Sequence, residues 1–252
     1  MDAAVSPLAT ETLSQADLIA FYLPMHTATR LAIKYISQIR QRYPQAHLCC
    51  YGLYAPLNEA YLRRLGVKTL LGGEFEAGLL HLCSRLQKNE NPESVSPQSE
   101  PVISLAHQQF LLPERGDLPE LSKYAQLFWQ DRPTRTVGYV EATRGCKHVC
   151  RHCPVVPVYQ GKFRVVQREI VLADIRQQVA AGAEHITFGD PDFFNGIGHA
   201  LPLVKALHEE FPQLSYDVTI KIEHLLYHVS SLPLLKQTGC VMVTSAVESV
   251  EE

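Results

Sequence analysis

Arg144-Gly-Cys-Lys-His-Val-Cys-Arg-His-Cys-Pro154 carries three cysteines, Cys146, Cys150 and Cys153, at the spacing Cys-x3-Cys-x2-Cys. Three thiolates on one short loop point first to a metal ion or an iron–sulfur cluster. Four protein ligands close a metal site, whereas three leave one coordination position free. An iron–sulfur cube held by three Cys therefore keeps one iron open to a small molecule. The same residues fit a zinc site completed by a distant fourth ligand such as His148, His152 or Cys240, and they also fit ordinary thiols. Spacing alone leaves these alternatives open.

The flanks supply a frame. Val137-Gly-Tyr-Val-Glu-Ala-Thr-Arg-Gly145 reads as a strand running into a Gly-containing loop. Beyond the Cys loop, a helix is predicted over 167–181, with Ile170, Leu172, Ile175 and Val179 as its apolar positions. A strand follows at His185–Phe188, a helix over 198–210, a strand over 214–222 with a helix after it, and a strand over 239–244. That is the rhythm of four β/α units in a parallel barrel, whose ligands sit where the strands end. Three strand ends are chemically suggestive. Gly189-Asp-Pro-Asp192 is either a plain turn or an acidic contact for an ammonium group. Thr219-Ile-Lys-Ile-Glu223 closes the third strand, and the period of two points Thr219, Lys221 and Glu223 to one face, either ligand-facing or solvated. Ser245-Ala-Val-Glu-Ser249 follows the last strand, and its Glu248 is either a ligand contact or an exposed helix-starting acid.

Residues 12–87 alternate strand and helix signals. Strands are predicted over 16–23, 47–54 and 67–71, and helices over 27–42, 58–65 and 75–86. In the first helix Leu31, Tyr35, Ile36 and Ile39 stand at core spacing. Alternation of this kind implies a parallel α/β sheet. Residues 88–101 are polar and Pro-rich and read as a linker. Residues 102–136 read as a connector with one short helix near Leu121–Trp129. The resulting division is 1–87, an incomplete Rossmann-like domain; 88–135, linker and connector; and 136–252, a partial barrel.

The chain has 252 residues, 46% of them hydrophobic and 19% charged, with a formal net charge of −3, as expected of a globular protein. The weakly acidic balance gives no reason to expect nucleic-acid binding. No apolar run reaches the roughly 18 residues that span a bilayer, and the N-terminus lacks a signal-peptide pattern. Seven cysteines, an odd number with three at ligand spacing, fit a reducing cytoplasm better than a disulfide framework. Cys49, Cys50, Cys83 and Cys240 are expected to be inert core residues. His224 and His228, four apart on a predicted helix, share a face without a third ligand to make a metal site.

With these motifs in place, the Cys loop and its flanks resemble the signature of the radical S-adenosylmethionine (SAM) enzymes. The resemblance implies that Cys146, Cys150 and Cys153 bind a [4Fe-4S] cluster. Its free iron would chelate the amino and carboxylate groups of SAM, and the reduced cluster would cleave SAM to a 5′-deoxyadenosyl radical. It further implies that His152 stacks beside the cluster, that Gly189 with Asp190 or Asp192 holds the SAM amino group, and that Lys221 pairs with the SAM carboxylate. Glu223 would bind a ribose hydroxyl. Glu248 would contact SAM from a turn like the family's Gly-x-Glu-Ser, with Ala246 at the Gly position. The implied partners are an unknown small-molecule or peptide substrate, abstracted at hydrogen, and an electron donor such as flavodoxin or ferredoxin. Arg144, Lys147, Arg151, Lys162, Arg164 and Arg168 are either a solvated loop face or a means of neutralising substrate or donor.

The N-terminal region resembles the later part of the Rossmann-like cobalamin-binding domain that precedes many radical SAM barrels, with Gly72-Gly73-Glu74 as the turn before its last helix. The usual first βα unit and an Asp-x-His-x-x-Gly motif are absent, so a structural use of this domain is expected ahead of cobalamin binding. The overall wording resembles a subgroup with a Cys- or selenocysteine-containing tail, shortened at both ends, with about four of six barrel units. A sheet open after its fourth strand would expose an edge, with poor solubility or dimerisation as the expected consequence. A cluster- or zinc-binding protein with a degenerate barrel is the alternative reading.

Overall fold

The computed structural model describes residues 10–88, 100–129 and 132–246, and the chain divides into two compact units. One comprises residues up to Gln108 together with His148–Gln160; the other comprises Gln109–Lys147 and the residues from Gly161 onward.

In the first unit, β1 (Leu18–Tyr22), β2 (His47–Tyr51), β3 (Thr69–Gly73) and β4 (Ile103–Ser104) form a parallel sheet in that order. β2 and β3 are central and covered, which is why they read as continuous apolar runs rather than alternating ones. α1 (Thr10–Ser14) precedes β1, and the strands are connected by α2 (His26–Arg42), by α3 (Tyr54–Leu57) with α4 (Glu59–Arg64), and by α5 (Glu76–Gln87). The buried stripe of α2 is Thr29, Ala32, Ile36 and Ile39. Tyr35 is half-buried and Leu31 is exposed, so the apolar face is rotated from the expected one. The second strand stops at Tyr51 rather than continuing to residue 54. Gly52 adopts φ +102°, where a Cβ would meet the Leu23 carbonyl, and Tyr54 already begins α3. β4 lies in a stretch read as connector; it is held by Gly72 N–H to the Val102 carbonyl and Glu74 N–H to the Ser104 carbonyl. Cys49 and Cys50 are buried as expected, and burial pushes the Cys49 thiol up to about 12. Cys83 is exposed, on the outer face of α5.

The second unit is a partial (β/α) barrel. β5 (Gln126–Trp129) runs antiparallel to β6 (Arg132–Val140), which continues in parallel into β9 (His185–Phe188), β10 (Ser215–Thr219) and β11 (Cys240–Thr244). β7 (Thr143–Gly145) and β8 (Phe163–Val165) form a small antiparallel ladder. The helices are α7 (Arg168–Ala180), α8 (Ile197–Glu210), α9 (Ile222–Tyr227) and α10 (Leu232–Gln237), while α6 (Val156–Tyr159) belongs to the first unit. The core is built from Ile186, Phe188, Tyr216 and Val218 of the strands packed on Ile175, Leu203, Val204 and Leu207 of α7 and α8. Two local expectations are corrected. The helix expected near Leu121–Trp129 is a 3-10 turn at Leu121–Lys123 followed by β5, because pairing with β6 overrides a local preference and Phe128 and Trp129 suit a strand. The strand expected to run to residue 222 ends at Thr219. Lys221 stands before the first turn of α9 with extended backbone, and Glu223 lies within that turn.

Candidate functional site

The Cys loop leaves β6 through Glu141 and Ala142. Asp190, which follows β9 and Gly189, is 2% exposed. Its carboxylate accepts the Ala142 N–H at 3.0 Å and the Thr143 hydroxyl at 2.6 Å. Burial drives the Asp190 carboxyl up to about 7, against the two hydrogen bonds that favour its charge; Glu141 nearby raises it further. Gly145, at φ +77°, then turns the chain into Cys146.

Cys146 is buried, and its thiol donates to Asn195 Oδ1 at 3.7 Å. The same oxygen accepts the Lys147 N–H at 3.1 Å. Asn195 is placed by a 3-10 turn, Phe193–Gly196, capped by Asp192, whose side chain accepts the Phe194 N–H at 3.0 Å. Asp192 also pairs with His224 Nδ1 at 2.7 Å. The run Gly189–Asn195 thus braces the start of the Cys loop at two points, through Asp190 and through Asn195. Lys147 rests over the Phe163 ring and Arg144 over the Phe110 ring, with Arg144 also paired to Glu141. These two basic residues are packed rather than merely solvated.

Cys150 and Cys153 fall in the first unit. Both are half-buried free thiols, joined by a turn in which the Cys153 N–H meets the Cys150 carbonyl at 3.2 Å. His152 is exposed. After α6, the Tyr159 hydroxyl donates to the buried Glu74 at 3.1 Å. Glu74 also accepts from Gln108, which bridges it to Glu76.

The expected SAM residues are placed as follows. Gly189 lies beneath the Tyr139 ring, where any Cβ would collide with the phenol. Asp190 and Asp192 turn to backbone groups, a hydroxyl and a histidine of their own unit. In this structure they brace the loop, because a buried carboxylate must find donors and these are the nearest. Lys221 and Glu223 do not share a strand face; they flank the start of α9 and pair with each other at 2.9 Å. Glu248 lies outside the described residues.

Reasoning from sequence missed Asn195 and also a polar row on the sheet face opposite α7 and α8. There Arg135 donates to Ser215 at 2.7 Å. His185 bonds Ser215 through Nδ1 and Asp217 through Nε2, each at 2.7 Å, and Thr187 donates to Asp217 at 2.6 Å. The alternation His185-Ile-Thr-Phe188 and Ser215-Tyr-Asp-Val218 was the available signal. His185 and Ser215 open their strands, at the end away from the Cys loop. We read this charge-balanced row as a tie between β6, β9 and β10.

No protein-family model matches the chain, and no curated protein matches it. Among solved structures, the radical SAM methyltransferase TsrM from Kitasatospora setae, with tryptophan substrate and the SAM analogue aza-SAM bound, matches with a TM-score of 0.70 at 15% identity. That match covers 96% of this chain and 51% of the other. TsrM with cobalamin and a [4Fe-4S] cluster bound matches with a TM-score of 0.73 at 15% identity, over 96% of this chain and 52% of the other. The chain shares its fold with these structures. The chain spans about half the length of these radical SAM structures. Among the described residues no helix is long and apolar enough to cross a membrane.

The donor set suits an iron–sulfur cluster: three thiols outside any disulfide in one short run of sequence, the first beside a buried amide. Cobalamin is less well served. A Cβ at Gly72 would lie 2.6 Å from Pro56, and one at Gly73 would strike the Ser104 carbonyl. Both glycines are thus required by the unit's own packing, and nothing observed among the described residues assigns one to cobalamin.

Proposed function

We propose that this chain is a SAM-dependent enzyme of the radical type. Cys146, Cys150 and Cys153 would hold a [4Fe-4S] cluster. When bound and reduced, such a cluster would supply one electron for cleaving SAM to methionine and a 5′-deoxyadenosyl radical, which would take hydrogen from a substrate. The observation that carries this reading is the Cys-x3-Cys-x2-Cys loop directly after the first parallel strand of a partial barrel, with its first ligand braced by the loop after the second parallel strand.

The chain's own residues would then divide the work. Asp190 and Thr143 fix the entry to the loop, and Asn195 fixes the backbone at Lys147. Gly189 after β9 and Lys221 and Glu223 at the start of α9 are the residues we assign to SAM, with Glu248 added from the sequence alone and His152 beside the cluster. Flavodoxin or ferredoxin would donate the electron, and the substrate is a small molecule or peptide. The Gly72–Gly73 turn is packed against Pro56 and Ser104 of its own unit, and we assign no cobalamin contact to it.

A second reading draws on one observation: Asp190 and Asp192, expected at the SAM ammonium, are engaged with protein donors. It is a cluster- or zinc-binding protein that does not seat SAM. Metal analysis separates zinc from iron. Anaerobic reconstitution with iron and sulfide should give about four irons and four sulfides per chain, lost together in Cys146→Ala, Cys150→Ala or Cys153→Ala. One zinc per chain, with no iron taken up, would sink the proposal.

A further inference from the structure

Asn195 has more hydrogen-bonding capacity than the protein uses. It is 1% exposed, and its Oδ1 is occupied by the Lys147 N–H at 3.1 Å and the Cys146 thiol at 3.7 Å. Its Nδ2 has no hydrogen-bond partner among the described residues. A buried amide nitrogen left so carries its full desolvation cost, and native structures rarely keep such a group without a reason. Lys147 settles which way the amide points: its backbone N–H needs an acceptor, so Oδ1 faces the loop and Nδ2 is the atom left over. When Cys146 becomes a thiolate ligand, its S–H donor is lost. The adjoining ligand atom is then an electron-rich sulfur, and Nδ2–H is an idle donor on the same amide that lies beside Cys146.

We infer that Asn195 donates a hydrogen bond from Nδ2 to the sulfur of the bound cluster at Cys146, either the thiolate or an adjoining sulfide. This rests on the cluster reading above. It makes Asn195 a positioning and tuning residue. Oδ1 fixes the backbone that carries the first ligand, and Nδ2 withdraws electron density from sulfur. Hydrogen bonds to cluster sulfurs favour the reduced, more negative state and raise the reduction potential.

The test compares wild type, Asn195→Asp and Asn195→Leu after anaerobic reconstitution, by titration with dithionite and redox mediators read by EPR. Asp keeps an acceptor for Lys147 but has no N–H. Leu removes the donor without adding charge. Both variants should be harder to reduce, with at least a tenfold lower ratio of reduced to oxidised cluster at the wild-type midpoint, equivalent to about 59 mV for one electron. Iron should also be lost faster to a chelator. A Leu variant with the wild-type midpoint would overturn the inference. If the Leu variant does not fold, an Asp variant with an unchanged midpoint would overturn it instead. A wild-type chain that takes up no cluster would refute the underlying reading, an outcome distinguishable from the first two.

Discussion

Asp190→Asn should change how the stability of the chain depends on pH. The Asp190 carboxyl is almost fully enclosed and titrates near 7 in the folded chain, against an ordinary 3.8. Burial, the largest cause, favours the protonated form. Between pH 4 and 7 the folded chain therefore holds more of this proton than the unfolded chain does, and the contribution to stability falls as pH rises. Below pH 4 both states are protonated and the cost vanishes; above pH 7 it is complete. At about 1.4 kcal/mol per pH unit, the full cost is about 4 kcal/mol. About 3 kcal/mol of it develops between pH 4.5 and pH 7.5. Asparagine at 190 keeps an acceptor for the Ala142 N–H, and its amide can donate to Thr143, whose hydroxyl turns round. Urea unfolding of wild type and variant at several pH values isolates the effect, because every other group cancels in the difference. The variant should gain on the wild type by about 3 kcal/mol over that window. Parallel curves, or a variant that loses ground as pH rises, would refute the reasoning.

Other outcomes follow from the same geometry. Gly189→Ala forces the Tyr139 ring away, and should cost about 1–3 kcal/mol by overpacking; Tyr139→Ala combined with it should restore most of that loss in a denaturant titration. Arg115 clamps the buried Asp174 with two nitrogens. Arg115→Met should therefore destabilise by about 3 kcal/mol, and adding Asp174→Asn should recover part of it by removing the stranded charge. Gly73→Ala meets both a positive φ and the Ser104 carbonyl, so thermal melts should show a loss above about 2 kcal/mol.

What the sequence disclosed was local. The Cys spacing, the strand–helix rhythm and the alternating strands β9 and β10 are all carried by neighbours within a few residues. What it withheld depended on distant contacts. Leu121–Trp129 looked helical because nothing local announces that β6 is available to pair with it. Asp190 was legible as a turn residue, whereas Asn195 was not singled out. Their hold on Thr143 and Lys147 joins positions nearly fifty apart in sequence, and no periodicity reports that. Lys221 and Glu223 were misplaced by a strand read about three residues too long, since Ile220 and Ile222 continue an alternation that α9 in fact ends. The inner-face row of His185, Ser215 and Asp217 was present in the alternation but overshadowed by the apolar half of the same strands.

The most direct measurement is EPR of the reconstituted, reduced protein with and without SAM. A cluster whose open iron takes SAM must change its signal when SAM is added, and Cys150→Ala must abolish both signals. A [4Fe-4S] signal that is identical with and without SAM would contradict the account and leave a cluster-binding protein whose carboxylates at Asp190 and Asp192 serve only its own fold.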